Sequence, residues 1–238
     1  MMARQAEPFP PGGLAIVIGA NGGMGRALHE ALNASDSFAK VQGFSRAAGD
    51  IDFTDEASIV NCAALVASEG LPLRLVIVAT GLLHDGDLQP EKSWRQIEPH
   101  RLARSFAINA TGPMLVAKHF LPLLPRKGKA VFAALSAKVG SIGDNRLGGW
   151  YGYRASKAAL NQFIHTAAIE LRRARPDAVC VTLHPGTVAT ALSAPFGASG
   201  YAPVEPAFAA ERLLAVIHDL LPADSGLMLD HSGLPLPW

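Results

Sequence analysis

The sequence contains few of the residues that mark secreted or metal-binding proteins. Only two of its 238 residues are cysteines, Cys62 and Cys180, and they lie far apart without any metal-ligand spacing. Both occur in apolar stretches, which predicts small buried side chains in a reducing compartment. We therefore expect a cytoplasmic protein with no bound metal.

Long apolar runs and basic clusters are also lacking. No uninterrupted apolar run approaches the roughly 18 residues that a membrane-spanning helix needs. The formal net charge is +1 and no run of basic residues occurs, so neither nucleic acid nor an anionic membrane is expected as a partner. Residues 1–13 are rich in proline and glycine and do not have the order of a signal peptide. They predict a flexible lead-in.

What is present is a globular composition in which strand and helix patterns alternate. Apolar residues make up 49% and charged residues 17% of the chain, which shows no disordered or fibrous bias. The alternation is typical of a parallel sheet with helices on both faces. We predict one Rossmann-type, doubly wound α/β domain over residues 14–238, with about seven strands. The apolar runs that read as strands are 14–18, 40–44, 74–79, 130–135, 179–183 and 227–229. Helical patterns cover 26–33, 54–68 with Thr54 as cap, 93–124 with a break near Pro99, 150–173 and 205–220.

A glycine-rich turn follows the first predicted strand and precedes a helix. It reads Gly19-Ala20-Asn21-Gly22-Gly23-Met24-Gly25. Glycines allow a sharp turn and a close approach of a ligand, and the N–H groups at the helix start can face a diphosphate. At this place the turn predicts a nucleotide site, although its spacing is G-x-x-x-G-x-G and not the commoner G-x-G-x-x-G.

An arginine stands at the end of the second predicted strand, where a dinucleotide fold meets the adenosine ribose. Arg46 lies 21 residues beyond Gly25, with Ser45 beside it. An acidic residue here would bind the 2′-hydroxyl of NAD, whereas a guanidinium suits the 2′-phosphate of NADP. The sequence therefore favours NADP(H) over NAD(H), the alternative being that Arg46 is only a solvated loop residue.

A tyrosine and a lysine occur one helical turn apart. Tyr153 and Lys157 are four residues apart in a helical pattern, so both side chains lie on one face. A neighbouring ammonium lowers the pKa of a phenol from its usual value of about 10. Such a phenol can exchange a proton with a carbonyl oxygen near neutral pH. The same spacing occurs by chance on many helices, so the pair alone leaves a structural role open.

A polar amide interrupts the long helical pattern before it. Asn109 lies amid Phe106, Ile108 and Leu115, where a buried amide needs hydrogen-bond partners. A satisfied structural asparagine and a functional one are both open.

Taken together, these residues resemble the short-chain dehydrogenases/reductases across essentially the whole chain. Five matches carry the resemblance, in the order that the family shows: Gly19 to Gly25, Asp52, Asn109, Tyr153 with Lys157, and Pro185-Gly186-x-Val188-x-Thr190. Each is weak alone, and together they are highly specific. The most similar subgroup is that of the C-factor and sniffer-like carbonyl reductases, through residues 139–142, residues 148–151 and the Leu-Pro-Trp ending at Trp238.

The resemblance implies a role for most of these residues. Tyr153 would protonate the substrate oxygen, and Lys157 would lower its pKa and bind the nicotinamide ribose. Asn109 would hold a water that links Lys157 to solvent. The cofactor-binding residues that it implies are Asn109, Tyr153 and Lys157 themselves, Gly19, Asn21, Gly22, Gly23, Met24 and Gly25 in the turn, Ser45 and Arg46 at the ribose, Asp52 and Phe53 at the adenine, Ala79, Thr80 and Gly81 on the adenosine side, and Pro185, Gly186, Val188 and Thr190, the last two at the carboxamide.

The sequence departs from the family in three places. The second strand ends without an acid, and residues 78–81 read Val-Ala-Thr-Gly where the family has Asn-Asn-Ala-Gly. The third departure is at residues 136–140, which read Ser-Ala-Lys-Val-Gly where the family has Ser-Ser-x-x-Gly. The second Ser stabilises the substrate oxygen, and strict register puts Ala137 there. Ser136 is the best candidate for that hydroxyl if the strand end shifts by one residue, which would reverse its face. Ser141 is a poorer substitute.

Two functions from different classes follow. The first is an NAD(P)-dependent oxidoreductase that transfers hydride between NADPH and a carbonyl or alcohol, with Tyr153 as general acid and base. The second is a catalytically weak NADP-binding sensor or signalling protein, which Ala137 and the C-factor resemblance would suit. The family further implies a homodimer or homotetramer. Residues 193–203 predict a flexible loop over the site, and the apolar, glycine-rich stretch 192–203 suggests a small apolar or aromatic carbonyl as substrate.

Overall fold

The computed structural model describes residues 6–196 and 202–238, in which strands and helices alternate. The strands are β1 (Leu14–Ile18), β2 (Lys40–Phe44), β3 (Leu73–Val78), β4 (Ala130–Leu135), β5 (Ala178–His184) and β6 (Met228–Asp230). The helices are α1 (Gly23–Asn33), α2 (Glu56–Ser68), α3 (Pro99–Phe106), α4 (Gly112–Phe120), α5 (Tyr151–Ala174) and α6 (Pro206–Asp219). A π-helical segment, Ala107–Thr111, joins α3 to α4.

The strands form one parallel sheet in the order β2-β1-β3-β4-β5-β6. Because all of them run the same way, the carboxyl ends of β1, β3, β4 and β5 meet at one edge. The chain winds outward from β1 to β2 and then returns to continue from β3 on the other side. Ligands of such sheets bind in the crevice at this reversal. The structure therefore confirms the predicted doubly wound fold.

The expected count of about seven strands is too high, because six form in the part of the chain that the structure describes. Each of the six apolar runs that read as strands forms one, and no segment is assigned to a seventh. Between β2 and α2 the chain turns. The Oγ of Ser45 accepts from the N–H of Ala48 at 3.2 Å, and the carboxylate of Asp52 accepts from the N–H of Thr54 at 2.8 Å. Side chains that bond to the local backbone in this way compete with strand pairing.

Helices cover both faces of the sheet, as predicted. Every residue of β1 and of β4 is buried, which fits the uninterrupted apolar runs of a sheet packed on both sides. On one face, residues such as Phe120 of α4 and Leu160 of α5 join the sheet in a hydrophobic cluster that also includes α2. On the other face, Leu28 of α1 and Leu213 of α6 belong to a second cluster. The core thus fixes α5 against the sheet.

The start of α2 differs from the prediction. Asp55 caps this helix through a hydrogen bond from the N–H of Ala57 to its Oδ1, at 3.0 Å. Thr54, the predicted cap, instead donates its hydroxyl to Asp52 at 2.6 Å. The break expected near Pro99 is confirmed, since α3 begins at this residue.

Two predicted loops fall partly outside the described residues. These are residues 1–5 of the predicted lead-in and residues 197–201 of the predicted loop over the site. The described part of that loop includes a 3-10 turn at Ala194–Phe196. Among the helices of residues 6–196 and 202–238, none is both long and apolar enough to span a membrane.

Candidate active site

The glycine turn lies at the carboxyl end of β1 and leads into α1. Gly19 has a φ of 89°, and its N–H donates to the carbonyl of Phe44 at the end of β2, at 2.7 Å. A Cβ on Gly25 would lie 2.0 Å from the carbonyl oxygen of Gly19, so only glycine permits this approach. Gly22 caps α1 without a side-chain bond, which leaves N–H groups of its first turn able to face an anion. Asn21 and Gly22 are exposed, whereas Met24 and Gly25 are buried.

The loop after β5 meets the start of α1. A Cβ on Gly23 would lie 2.7 Å from the Cγ2 of Thr190, so two predicted cofactor segments far apart in sequence are in contact. In the same loop, Val188 is buried, while Pro185 and Gly186 are partly exposed. The structure therefore brings the predicted carboxamide end of the cofactor site beside the predicted diphosphate end.

The segment from Ala79 to Gly81 follows β3 and lies between the glycine turn and α5. A Cβ on Gly19 would lie 3.0 Å from the Cγ2 of Thr80, and a Cβ on Gly81 would lie 3.9 Å from both the Oδ1 of Asn109 and the Nζ of Lys157. The Oγ1 of Thr80 is buried and has no hydrogen-bond partner among the described residues. Because buried hydroxyls in proteins are normally paired, this one fits a site that receives a polar ligand.

Arg46 lies at the carboxyl end of β2, with its side chain exposed. It forms no salt bridge with the residues that the structure describes. Ser45 is buried, and its Oγ is already used by the N–H of Ala48. The pKa of Asp52 is lowered by its hydrogen bonds from Thr54 and, to a smaller degree, by the charge of Arg46. The guanidinium thus faces solvent at the place predicted for the adenosine ribose.

Phe53 belongs to the core more than to the surface of the site. Its ring packs against the start of α4 so closely that a Cβ on Gly112 would lie 2.2 Å from it. The side chain is 8% exposed, whereas that of Asp52 is partly exposed. The adenine contact implied for these two residues stays a prediction.

Tyr153 and Lys157 lie one turn apart on α5, as their spacing predicts. Lys157 is 2% exposed, and its Nζ donates to the carbonyl of Leu135 at the end of β4, at 2.9 Å. Burial raises the pKa of Tyr153 to about 12 and lowers the pKa of Lys157 to about 8. The expected lowering of the Tyr153 pKa is therefore wrong for this chain by itself, because the loss of hydration on burial raises it.

Both polar groups of the Asn109 side chain form hydrogen bonds with the segment that follows β3. Its Nδ2 donates to the carbonyl of Leu82 and its Oδ1 accepts from the N–H of Leu82, both at 2.7 Å. Asn109 is completely buried in the π-helical segment, and such insertions are frequent at functional sites. Asn109 therefore has the structural role that the sequence left open. Its role in a water relay stays a prediction.

Two buried serines, which the sequence did not single out, connect this asparagine to α5. The Nδ2 of Asn109 donates to the Oγ of Ser156 at 3.1 Å, and Ser156 donates in turn to the carbonyl of Tyr153 at 3.0 Å. The Oγ of Ser105 lies 3.2 Å from that of Ser156 and donates to the carbonyl of Gly152 at 3.3 Å. Ser156 follows Tyr153 by three residues, and this spacing is its only sequence signal.

The predicted hydroxyl beside the substrate oxygen is buried. β4 ends at Leu135, and Ser136 is 5% exposed, with an Oγ that has no partner among the described residues. Ala137, the next residue, is partly exposed. Ser141 is 1% exposed, and its Oγ accepts from the N–H of Asp144 at 3.1 Å. Ser136 therefore remains the better of the two hydroxyl candidates, and its role stays a prediction.

Glu91 holds the amino end of α5 and carried no signal in the sequence. This carboxylate is 6% exposed and accepts from the N–H of Gly152 at 3.0 Å. The carbonyl of Glu91 also accepts from the N–H of Trp150, at 2.5 Å. An acid at a helix amino end is favoured by the helix dipole. Glu91 thus positions the turn that bears Tyr153.

Arg154, next to the tyrosine, holds the glycine-rich loop that follows β4. Its guanidinium donates to the carbonyls of Gly149, Val139 and Gly148, at 3.0, 3.2 and 3.2 Å. A Cβ on Gly140 would lie 2.9 Å from the backbone of Lys157, so this loop packs directly on α5. Both ends of the loop are therefore tied to the helix that carries the reactive pair.

Four observations fit a dinucleotide at this edge of the sheet. They are the glycine turn with no room for a Cβ at Gly25, the N–H groups at the start of α1, the buried unpartnered hydroxyl of Thr80 and the exposed guanidinium of Arg46. Tyr153 and Lys157 lie at the far end of the same edge, where a nicotinamide would reach.

Comparison with known proteins agrees with this reading. The sequence profile of the family described as short chain dehydrogenase matches residues 38–199. The chain is 37% identical to C-signal of Myxococcus xanthus over 138 residues, which cover 58% of this chain and 78% of that protein. It is 34% identical to 1-hydroxy-2-glutathionyl-2-methyl-3-butene dehydrogenase of Rhodococcus sp. over 193 residues, which cover 79% and 78%.

Solved structures share the fold. The carbonyl reductase Sniffer of D. melanogaster aligns with a TM-score of 0.77 at 22% identity, over 96% of this chain and all of that one. An NADPH-bound carbonyl reductase from chicken fatty liver aligns with a TM-score of 0.81 at 24% identity, over 98% and 96%. With the matched profile covering most of the chain, the protein belongs to the short-chain dehydrogenases, a family of oxidoreductases, with C-signal among its relatives in sequence and Sniffer among its relatives in fold.

Proposed function

We propose that the protein transfers hydride between NADPH and a small carbonyl or alcohol, with Tyr153 as the general acid and base. The observation that carries this proposal is the placement of Tyr153 and Lys157 at the edge of the sheet where the glycine turn begins α1. NADPH, when bound, would supply the hydride, and the protein aligns the reactants and handles the proton.

At neutral pH both side chains carry the protons that the reduction direction needs. With a pKa raised to about 12, Tyr153 keeps its proton and can donate it to a carbonyl oxygen. With a pKa of about 8, Lys157 is mostly an ammonium at pH 7 and stabilises the phenolate that the donation leaves behind. Asn109 and Ser156 hold the turn of α5 that bears the phenol.

NADP(H) is the proposed cofactor, with NAD(H) as the weaker candidate. The exposed guanidinium of Arg46, with no acid at the end of β2, supports a contact with the 2′-phosphate. The glycine turn, Thr80 and the residues from Pro185 to Thr190 would hold the diphosphate, the adenosine side and the carboxamide. The chicken carbonyl reductase that shares the fold was solved with NADPH.

The first test is NADPH oxidation by the purified protein against a panel of aldehydes, ketones and quinones. Tyr153→Phe removes the proposed acid and should abolish turnover while NADPH binding stays within about twofold, because the hydroxyl acts on the substrate. Tyr151→Phe, which removes a phenol from the same helix two residues earlier, is the matched control and should retain turnover. Undiminished turnover in Tyr153→Phe would refute the assignment.

A second function, a catalytically weak NADP-binding sensor, is favoured by Ala137 and by the similarity to C-signal. Ala137 stands where the family places a hydroxyl donor to the substrate oxygen, and loss of one such donor typically costs about 100- to 1000-fold in rate. The panel separates the two proposals. Tight NADPH binding without turnover of any carbonyl would support the sensor, and turnover that is lost in Tyr153→Phe would support the reductase.

We also infer that the protein is a cytoplasmic homodimer or homotetramer with one domain over residues 14–238. The two buried free cysteines, Cys62 and Cys180, support a cytoplasmic location. The apolar side chains of Phe163 and Ile169 on α5, which are 39% and 51% exposed, support self-association. Sedimentation equilibrium tests the oligomer, a single cooperative unfolding transition tests the domain, and cell fractionation tests the location.

A further inference from the structure

A run of aromatic rings leads to the phenol of Tyr153. The ring of Trp150 lies 6.2 Å from that of Tyr153 and 5.2 Å from that of Phe196, in edge-on geometry in both cases. The ring of His84 lies 5.6 Å from that of Phe196, also edge-on. These four residues come from three separate segments of the chain and are called the aromatic wall below.

The backbone of Trp150 is held in a conformation that suits glycine. Its φ and ψ are 55° and 42°, and no other described residue except glycine has a positive φ. A left-handed conformation is strained for a bulky side chain. The two preceding residues, Gly148 and Gly149, also have positive φ values, of 64° and 66°. A third glycine would remove the strain, so the backbone does not explain why an indole stands here.

The core does not explain the indole either. Neither Trp150 nor Phe196 belongs to the two hydrophobic clusters that the described residues form. Both side chains are partly exposed, as is that of Tyr153. The strained backbone is maintained from outside, through the carbonyl of Glu91, which accepts from the N–H of Trp150. Strain that the surroundings maintain at a reactive group is typical of a functional site.

Phe196 is likewise held in place from a distance. A ring nitrogen of His84 lies 3.1 Å from the carbonyl of Ala191, five residues before Phe196. Ser193, between them, donates its hydroxyl to the carbonyl of Thr190 at 3.1 Å. The segment that bears Phe196 is thus anchored to the exit of β3, and its ring is directed against Trp150. The aromatic wall contains no carboxylate, lysine or arginine.

We propose that Trp150 and Phe196 determine substrate specificity by holding a planar, uncharged aryl carbonyl beside the Tyr153 hydroxyl. This rests on the proposed function and adds the substrate class to it. Aromatic rings gain from offset-stacked and edge-to-face contacts with an aryl group, beyond the area that they bury, and a saturated chain of equal size does not gain this. His84 positions Phe196 and has no contact with the substrate in this proposal.

The test compares two aldehydes of seven carbons each, benzaldehyde and heptanal, as substrates with NADPH. The ratio of their kcat/KM values should fall about tenfold in Trp150→Leu and in Phe196→Leu, and Trp150→Phe should restore most of it. Phe196→Leu keeps the test valid if the strained position 150 tolerates leucine poorly. Trp94→Leu, which removes an indole that is 69% exposed, is the matched control and should leave the ratio unchanged.

An equal loss for both aldehydes in Trp150→Leu and Phe196→Leu would overturn the proposal while leaving the reductase intact. If the wild-type protein reduces neither of these two aldehydes, the full carbonyl panel decides the proposed function, and the aromatic wall is tested separately by calorimetric binding of 2-naphthaldehyde to the NADPH-loaded protein. A dissociation constant raised about tenfold in Trp150→Leu and in Phe196→Leu would support the wall. Unchanged binding in both variants would refute it.

Discussion

The side chain of Asn109 binds the backbone of Leu82 at both of its polar groups, with each hydrogen bond 2.7 Å long. The N–H and the carbonyl of Leu82, just after β3, are thereby both hydrogen-bonded, as they would be between two strands. Here one amide side chain takes the place of the neighbouring strand. The same amide reaches Ser156 on α5. Asn109 therefore fixes the exit of β3 relative to the helix that carries Tyr153.

Asn109→Ala should destabilise the protein by about 3 kcal/mol, because both polar groups of the partly buried Leu82 backbone lose their hydrogen-bond partner. Urea unfolding measures the change in free energy. Asn161→Ala is the matched control, since Asn161 is also buried but, among the described residues, its Nδ2 meets only the sulfur of Met228, at 3.2 Å. The free energy of unfolding should fall clearly less in Asn161→Ala than in Asn109→Ala. Equal losses in the two variants would show that the hydrogen bonds to Leu82 do not account for the effect.

Ser136→Ala tests the hydroxyl candidate. If Ser136 stabilises the substrate oxygen, kcat for carbonyl reduction should fall about 100-fold. Because its Oγ has no partner among the described residues, the substitution should leave the free energy of unfolding nearly unchanged, so a rate loss could not be attributed to unfolding.

The companion variant is Ala137→Ser, which restores the hydroxyl that the family shows. A threefold or smaller effect of Ser136→Ala, together with a large rate increase in Ala137→Ser, would mean that Ser136 does not serve and that the wild-type site works without this donor.

Arg46→Ala should raise the dissociation constant of NADPH about 10- to 100-fold and change that of NADH little, because only NADPH carries the 2′-phosphate that a guanidinium can bind. Fluorescence titration with the two reduced cofactors measures both constants. Arg95→Ala, at another exposed arginine, is the control for net charge. Equal weakening of both cofactors in Arg46→Ala would contradict the 2′-phosphate contact.

Acid should destabilise the protein in part through His184. Burial, followed by repulsion from the neighbouring His231, lowers the pKa of His184 to about 4. Between its ordinary pKa of about 6.5 and about 4, the unfolded chain binds a proton there that the folded chain does not. The contribution of His184 to the free energy of unfolding is therefore present above pH 6.5. It is lost as the pH falls toward 4, by at most about 3 kcal/mol.

Urea unfolding at several pH values measures the slope of the free energy of unfolding against pH. His184→Asn, which removes the titrating group, should flatten it between pH 6.5 and 4, whereas His100→Asn, at an exposed histidine of α3, should not. A slope that persists unchanged in His184→Asn would mean that other groups carry the acid sensitivity.

Much of the fold could be predicted from local patterns. The strands from Leu14 and from Ala130 have the predicted bounds, because a parallel sheet buried on both faces demands uninterrupted apolar runs. The seventh strand was expected wrongly, because the sequence has six apolar runs that read as strands and each of them forms one. The turn after β2 is set by the side chains of Ser45 and Asp52, which bind the backbone beside them. Such short polar contacts leave little trace in hydrophobic periodicity.

The sequence by itself determined which elements form, that they alternate, and that Tyr153 and Lys157 share one helix face, since each of these depends on neighbours within a few residues. Only the tertiary structure decided the environment of these groups. Burial raises the pKa of Tyr153 that the spacing alone had suggested would fall. Glu91 and Phe196 meet the turn before Tyr153 from segments about 60 and 40 residues away in the chain, where contacts depend on how the strands pack and not on local spacing.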